Sequence, residues 1–194
     1  KSYGGEVILT KNNMMDECND IKEREGLTFV HPFDDIDIIL GQGTIGVEII
    51  EKLNNIDYAF ISIGGGGLIS GIACVLKSIN PKIKIIGVEP INSNVMTKSI
   101  SSNKPKTFDT NINKTLADGL AAPFAGNLTF EFVKKYVDEI INVTENEMIE
   151  SMRVIIERLK VIPEAAASAC FVPILKNKLS IKKNANSIIV LCGG

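Results

Sequence analysis

The residues best suited to chemistry are four consecutive glycines, Gly64-Gly65-Gly66-Gly67, continued by Leu68-Ile69-Ser70-Gly71. They separate an apolar segment, residues 57–63, from a second apolar stretch that runs to Ile79. Glycines without a Cβ take positive φ freely and can turn several N–H groups toward one point. At a helix N-terminus such donors, with the helix dipole behind them, make a seat for phosphate. A turn needed only for packing is the bland alternative. The entropy lost in fixing four glycines argues against it.

Which phosphate is a separate question. Gly65-x-Gly67-x-x-x-Gly71 approaches a dinucleotide-binding fingerprint, and Glu89 ends the following strand where a ribose-binding acid would stand. The strict spacing is missing, because Ser70 replaces the third glycine. A second constellation, His31-Pro32-Phe33-Asp34-Asp35, precedes Gly41-Gln42-Gly43-Thr44-Ile45-Gly46. Its glycines read either as a loop-to-helix turn capped by Thr44 or as part of a site. His31, before a proline, reads as a turn residue rather than a base. It is the single histidine, and Cys18, Cys74, Cys170 and Cys192 form no CxxC pair. A zinc site is therefore not expected, and reduced thiols point to a cytoplasmic protein.

Positioning these residues takes a real core, and the 194 residues are 45% hydrophobic and 23% charged. A formal charge of −2 carries no basic patch, so no nucleic-acid partner is expected. No apolar run reaches the ~18–20 residues of a membrane span, and the N-terminus does not read as a signal peptide. The patterning predicts short strands over residues 6–9 and 28–30 around a polar helix at 13–25 closed by Gly26. Buried strands follow over residues 57–63, 82–88, 139–143 and 187–191. Helices are expected after the glycine run, over 127–136, from Thr144 to Lys160 with Glu147 completing a capping box, and over 164–178. Residues 99–114 read as a surface loop. Apolar strands alternating with helices imply an α/β fold, a parallel sheet covered on both faces.

Taken together and in order, HPFDD, GQGTIGVEI, GGGGLISGIA, KIIGVEP, LADG and LCGG closely resemble the fold-type II pyridoxal-phosphate enzymes, tryptophan synthase β-like in architecture. The threonine/serine dehydratases and serine racemases are the nearest group. The resemblance implies that Gly64, Gly65, Gly66, Gly67 and Leu68 hold the phosphate of pyridoxal 5'-phosphate through backbone amides. It places Cys192 beside the pyridine nitrogen, where a neutral thiol suits elimination over transamination. Gly119, in Ala117-Asp118-Gly119, would line the cofactor ring. Glu164 matches a glutamate near the cofactor pocket, although Pro163-Glu164 inverts the usual order. Glu89 and Ser93 fall where racemase-like members bind a divalent cation. Val95 stands where that pattern has an acid, which leaves a merely solvated Glu89 as the competing reading.

The family's catalytic lysine sits in a Ser-x-Lys-x-Arg-Gly motif that this sequence does not contain, and no lysine here, Lys1 included, has the required context. By resemblance, residues 1–30 are the tail of a small domain and residues 31–194 most of the large cofactor-binding domain. The catalytic lysine would lie upstream, so this chain alone is expected to be inactive. The opening strand and Gly193-Gly194 both read as cut edges. The implied activity is β-elimination from L-threonine or L-serine to a 2-oxo acid and ammonia, by a homo-oligomer when complete. PFAGNLTFEFV and GGGGLISG favour a threonine dehydratase. Serine racemase is the alternative, and a nucleotide-binding module or a non-catalytic fragment are rivals from other classes.

Overall fold

The structure, a computed structural model, describes residues 2–11, 13–108 and 114–194. Lys1 and the stretch 109–113 of the expected loop lie outside the described residues. The chain forms two compact units, Lys1–His31 and Pro32–Gly194.

The first unit holds one helix, α1 (Met14–Glu25). Asn13 caps it by accepting from the amide of Met15 at 2.9 Å, and Gly26 closes it in the left-handed conformation, φ 65°. Residues 6–9 and 28–30 are not strands. Neither has a partner strand among the described residues, and an unpaired strand leaves its backbone groups to water. His31 meets Phe29 edge-on, ring centroids 5.8 Å apart.

In the second unit β1 (Tyr58–Ser62), β2 (Lys84–Pro90), β3 (Glu139–Val143) and β4 (Ser187–Ile189) form one parallel sheet in the order β3-β2-β1-β4. β1 alternates sides, as a strand must. Ala59 and Ile61 join Ile69, Ile72 and Phe130 on one face, while Tyr58 and Phe60 join Val88, Met148 and Val172 on the other. Both faces are thus dry, which explains the uninterrupted apolar run. Truncating the fully buried Phe60 would cost about 3–5 kcal/mol. Helices α3 (Gly67–Ile79), α5 (Asn127–Tyr136) and α6 (Glu145–Leu159) fall where the sequence puts them. Thr144 and Glu147 make the expected capping box.

Three further expectations need correction. The Gly41–Gly46 segment is neither turn nor site. It lies inside α2 (Ile36–Lys52), which Asp35 caps through the amide of Asp37 at 2.8 Å. Thr44 does not cap; its hydroxyl donates back to the Gly41 carbonyl. The glycines there serve close packing of α2 on α3. A Cβ on Gly46 would meet Val75 at 2.9 Å, and one on Gly71 would strike the Ile39 carbonyl. Second, residues 99–102 belong to α4 (Val95–Ser102), so the loop begins later. Third, residues 164–178 are not one helix. They break into α7 (Ala165–Ser168), a 3-10 turn at Ala169–Phe171 and α8 (Val172–Leu175). Pro173, at the start of α8, has no N–H to carry a continuous helix through that point.

Candidate functional site

All four strands are parallel, so their C-terminal ends share one edge of the sheet. From β1 the chain winds outward through β2 and β3, then returns to the other side of β1 as β4. Ligands of open α/β sheets bind at such a reversal, in the crevice outside the strand ends. The glycine run follows β1 and Cys192-Gly193 follow β4, so both flank this crevice.

Gly66 is the N-cap of α3, at φ 95°, and no side chain among the described residues caps the helix. The first amides of α3, those of Gly67, Leu68 and Ile69, therefore have no intrahelical acceptor and remain available as donors. Neighbouring residues hold the loop from behind. Phe33 lies where a Cβ on Gly65 would be, and its backbone is 3.1 Å from a Cβ on Gly67. A Cβ on Gly66 would meet Met96 Cε and Thr129 Cβ, both at 2.9 Å. One on Gly64 would stand 3.1 Å from the Gly119 carbonyl, so the Asp118–Leu120 turn abuts the loop.

That turn leads to the end of β4. A Cβ on Gly119 would lie 3.6 Å from Glu164 Oε1, and the Glu164 carboxyl occupies the space a Cβ on Gly193 would need. The Glu164 amide donates to the Gly193 carbonyl at 3.3 Å. Cys192 is exposed. Partial desolvation raises its thiol above the ordinary value and the Glu164 carboxylate adds to the rise, so at pH 7 the group is a neutral S–H. Cys170 is different in kind. It is buried, pushed up to about 12 by desolvation, and its S–H faces the carbonyls of Ala167 and Val190. It packs and does not react.

Glu89 and Ser93 do not open on this crevice as solvated ligands. Glu89 is fully buried. Its Oε1 accepts from the Met96 amide at 2.8 Å, and its Oε2 accepts from the amide and hydroxyl of Thr97. Burial pushes its carboxyl up to about 7, against the opposing pull of those hydrogen bonds. A carboxylate so engaged is neither a ribose ligand nor a solvated strand end. It caps α4. Ser93 Oγ donates to the Leu120 carbonyl at 3.2 Å, and Val95 is completely buried. Among the described residues no three His, Cys, Asp or Glu side chains cluster to hold a metal ion.

Three residues to which the sequence motifs assign no role shape the loop: Phe33, Asp34 and Thr129. Asp34 accepts from the amides of Asn127, Leu128 and Thr129, capping α5 across 93 to 95 residues of sequence. One signal was legible. α5 begins after Gly126, which has no side chain to cap it, so its cap must come from elsewhere.

A model of the family described as pyridoxal-phosphate dependent enzyme matches residues 1–193. The chain is 40% identical to the L-threonine ammonia-lyase of Thermotoga maritima, over 100% of this chain and 48% of that protein. It is 42% identical to the catabolic L-threonine dehydratase of Escherichia coli K12, over 99% of this chain and 59% of that protein. The chain thus spans about half the length of the curated relatives it matches. Among solved structures, maize serine racemase superposes with a TM-score of 0.91 at 32% identity, over 100% of this chain and 60% of that one.

Proposed function

This chain belongs to the pyridoxal-phosphate-dependent enzyme family, and from that premise we propose that it forms the phosphate-holding part of a longer L-threonine or L-serine ammonia-lyase. The observation that carries this reading is the glycine loop: left-handed Gly66, uncapped amides at the start of α3, and a position at the sheet's winding reversal. The residues fit the cofactor's phosphate, because the loop carries no side chain: a Cβ on Gly65 or Gly66 would collide with Phe33, Met96 or Thr129, and one on Gly64 or Gly67 would press on its neighbours at 3.1 Å. Backbone amides are then the donors the loop offers. The amides of Gly64, Gly65, Gly66, Gly67 and Leu68 would bind the phosphate, with the dipole of the 13-residue α3 favouring its negative charge.

When bound, pyridoxal phosphate draws electrons from the α-carbon of an amino acid and so eases loss of its proton. This chain's residues position that chemistry. The Asp118–Leu120 turn would line the ring. The neutral thiol of Cys192 would face the ring nitrogen without donating a full charge to it, a setting that favours elimination of a β-hydroxyl over transamination. The relatives named L-threonine ammonia-lyase and L-threonine dehydratase support L-threonine as substrate. Residues 1–30 would contribute to a small domain and residues 31–194 to the large one, in a cytoplasmic homo-oligomer. Racemisation of serine is the second reading, favoured by the similarity to maize serine racemase.

The experiment compares the full-length protein with this 194-residue chain, each with pyridoxal phosphate and L-threonine, following 2-oxobutyrate. The full-length protein should turn over and the chain alone should not exceed free cofactor. Turnover by the chain alone would overturn the placement of the catalytic lysine upstream. D-serine formed from L-serine in place of 2-oxo acid would favour the racemase. Binding of NADH with no binding of pyridoxal phosphate would restore the nucleotide reading.

A further inference from the structure

Thr129 is buried at the start of α5, and its Oγ1 donates to the Gly65 carbonyl at 2.7 Å. In a trans peptide the C=O and the following N–H point in opposite directions. Fixing the Gly65 carbonyl on Thr129 therefore directs the Gly66 N–H away from α5. The same side chain is one of the two groups that a Cβ on Gly66 would meet, at 2.9 Å, so Thr129 also sits behind the residue with φ 95°. A second link runs from Ser70 Oγ to the Thr129 carbonyl at 3.5 Å, joining the first turn of α3 to α5. Thr129 in turn is held by Asp34, whose Oδ1 accepts its amide at 3.1 Å. The side chain of Asp34 also occupies the space a Cβ on Gly126 would take. Asp34, α5, Thr129 and the Gly65–Gly66 peptide thus form one connected support.

We propose that Thr129 is a positioning residue for phosphate recognition: its hydroxyl sets the Gly65–Gly66 peptide so that the Gly66 N–H faces the cofactor phosphate. This rests on the reading that the glycine loop binds the phosphate of pyridoxal phosphate. Thr129 would act through the Gly65–Gly66 peptide, to which its hydroxyl is bonded, rather than by a contact of its own with the phosphate. A hydroxyl that serves only packing is replaceable by an isosteric methyl, whereas one that orients a peptide is not.

The test uses the full-length apoprotein, titrated with pyridoxal phosphate and with pyridoxal, which lacks the phosphate, by equilibrium dialysis. Thr129→Val keeps the shape and removes the donor; Thr129→Ser keeps the donor. The valine variant should lose roughly tenfold in affinity for pyridoxal phosphate, the scale of one lost hydrogen bond, with pyridoxal affinity unchanged. The serine variant should restore the wild-type ratio of the two affinities. Thermal melts establish that each variant is folded, and Thr129→Ala carries the same comparison if valine is not tolerated. A wild-type ratio in Thr129→Val or Thr129→Ala overturns the proposal. A wild-type protein that binds the two ligands equally overturns the phosphate-seat reading itself, and the role of Thr129 falls with it.

Discussion

Thr97 donates twice to a single oxygen of Glu89, its amide at 2.7 Å and its hydroxyl at 2.6 Å. With the Met96 amide on the other oxygen, Glu89 closes the start of α4 from inside the protein. Met96 then reaches the space behind Gly66. A carboxyl at a strand end thus belongs to the scaffold behind the glycine loop.

Its titration gives the first prediction. Folding raises the Glu89 carboxyl from 4.5 to about 7. Between those values the folded protein holds a proton that the unfolded chain has released, so this contribution to stability is complete below pH 4.5 and is lost as pH rises through 7. The shift corresponds to about 3 kcal/mol, at ~1.4 kcal/mol per unit. Urea melts of wild type and Glu89→Gln from pH 5 to 8 should show a difference that changes with pH. Curves that stay parallel would place the titration elsewhere.

Gly66→Val should abolish retention of pyridoxal phosphate in the full-length protein. The new side chain would meet Met96 and Thr129 and force a β-branched residue to φ 95°, a strain of about 1–3 kcal/mol before any clash is counted. Cofactor absorbance after desalting measures the loss. Equal occupancy in variant and wild type contradicts the phosphate seat.

Chelation should change the activity of the full-length protein by less than about twofold. A hard cation needs six or more oxygen ligands, and both oxygens of Glu89 already accept from Met96 and Thr97. The assay is 2-oxo acid release before and after EDTA, with magnesium added back. Strong inactivation rescued by magnesium would show that other groups supply the ligands.

Cys192→Ser should keep most of the activity, since it preserves a small neutral hydrogen-bonding group. Cys192→Asp should slow 2-oxo acid release and raise the share of transamination product, because a carboxylate there favours a protonated ring nitrogen. The Glu164 carboxylate already raises the Cys192 thiol, so it would also oppose a second negative charge. Wild-type behaviour of the aspartate variant in both assays would show that Cys192 does not face the ring.

The sequence by itself determined the elements whose patterns are local. The apolar run at 57–63 holds the strand Tyr58–Ser62, Thr144 and Glu147 form the capping box at the start of α6, and the four glycines before an apolar helix make the strand-to-helix turn. It also carried the motif order that identifies the family. Tertiary structure decided everything that depends on a partner distant in sequence. Residues 6–9 and 28–30 have strand patterns yet find no strand to pair with among the described residues. The glycines of 41–46 resemble a turn until α3 lies against them and needs their missing side chains. Glu89 reads as a solvated strand end or a ligand, but burial beneath α4 turns it into a cap. The support of the phosphate seat was the least legible part, because Asp34 and Thr129 stand 95 residues apart and meet only when the sheet brings α5 beside the glycine loop.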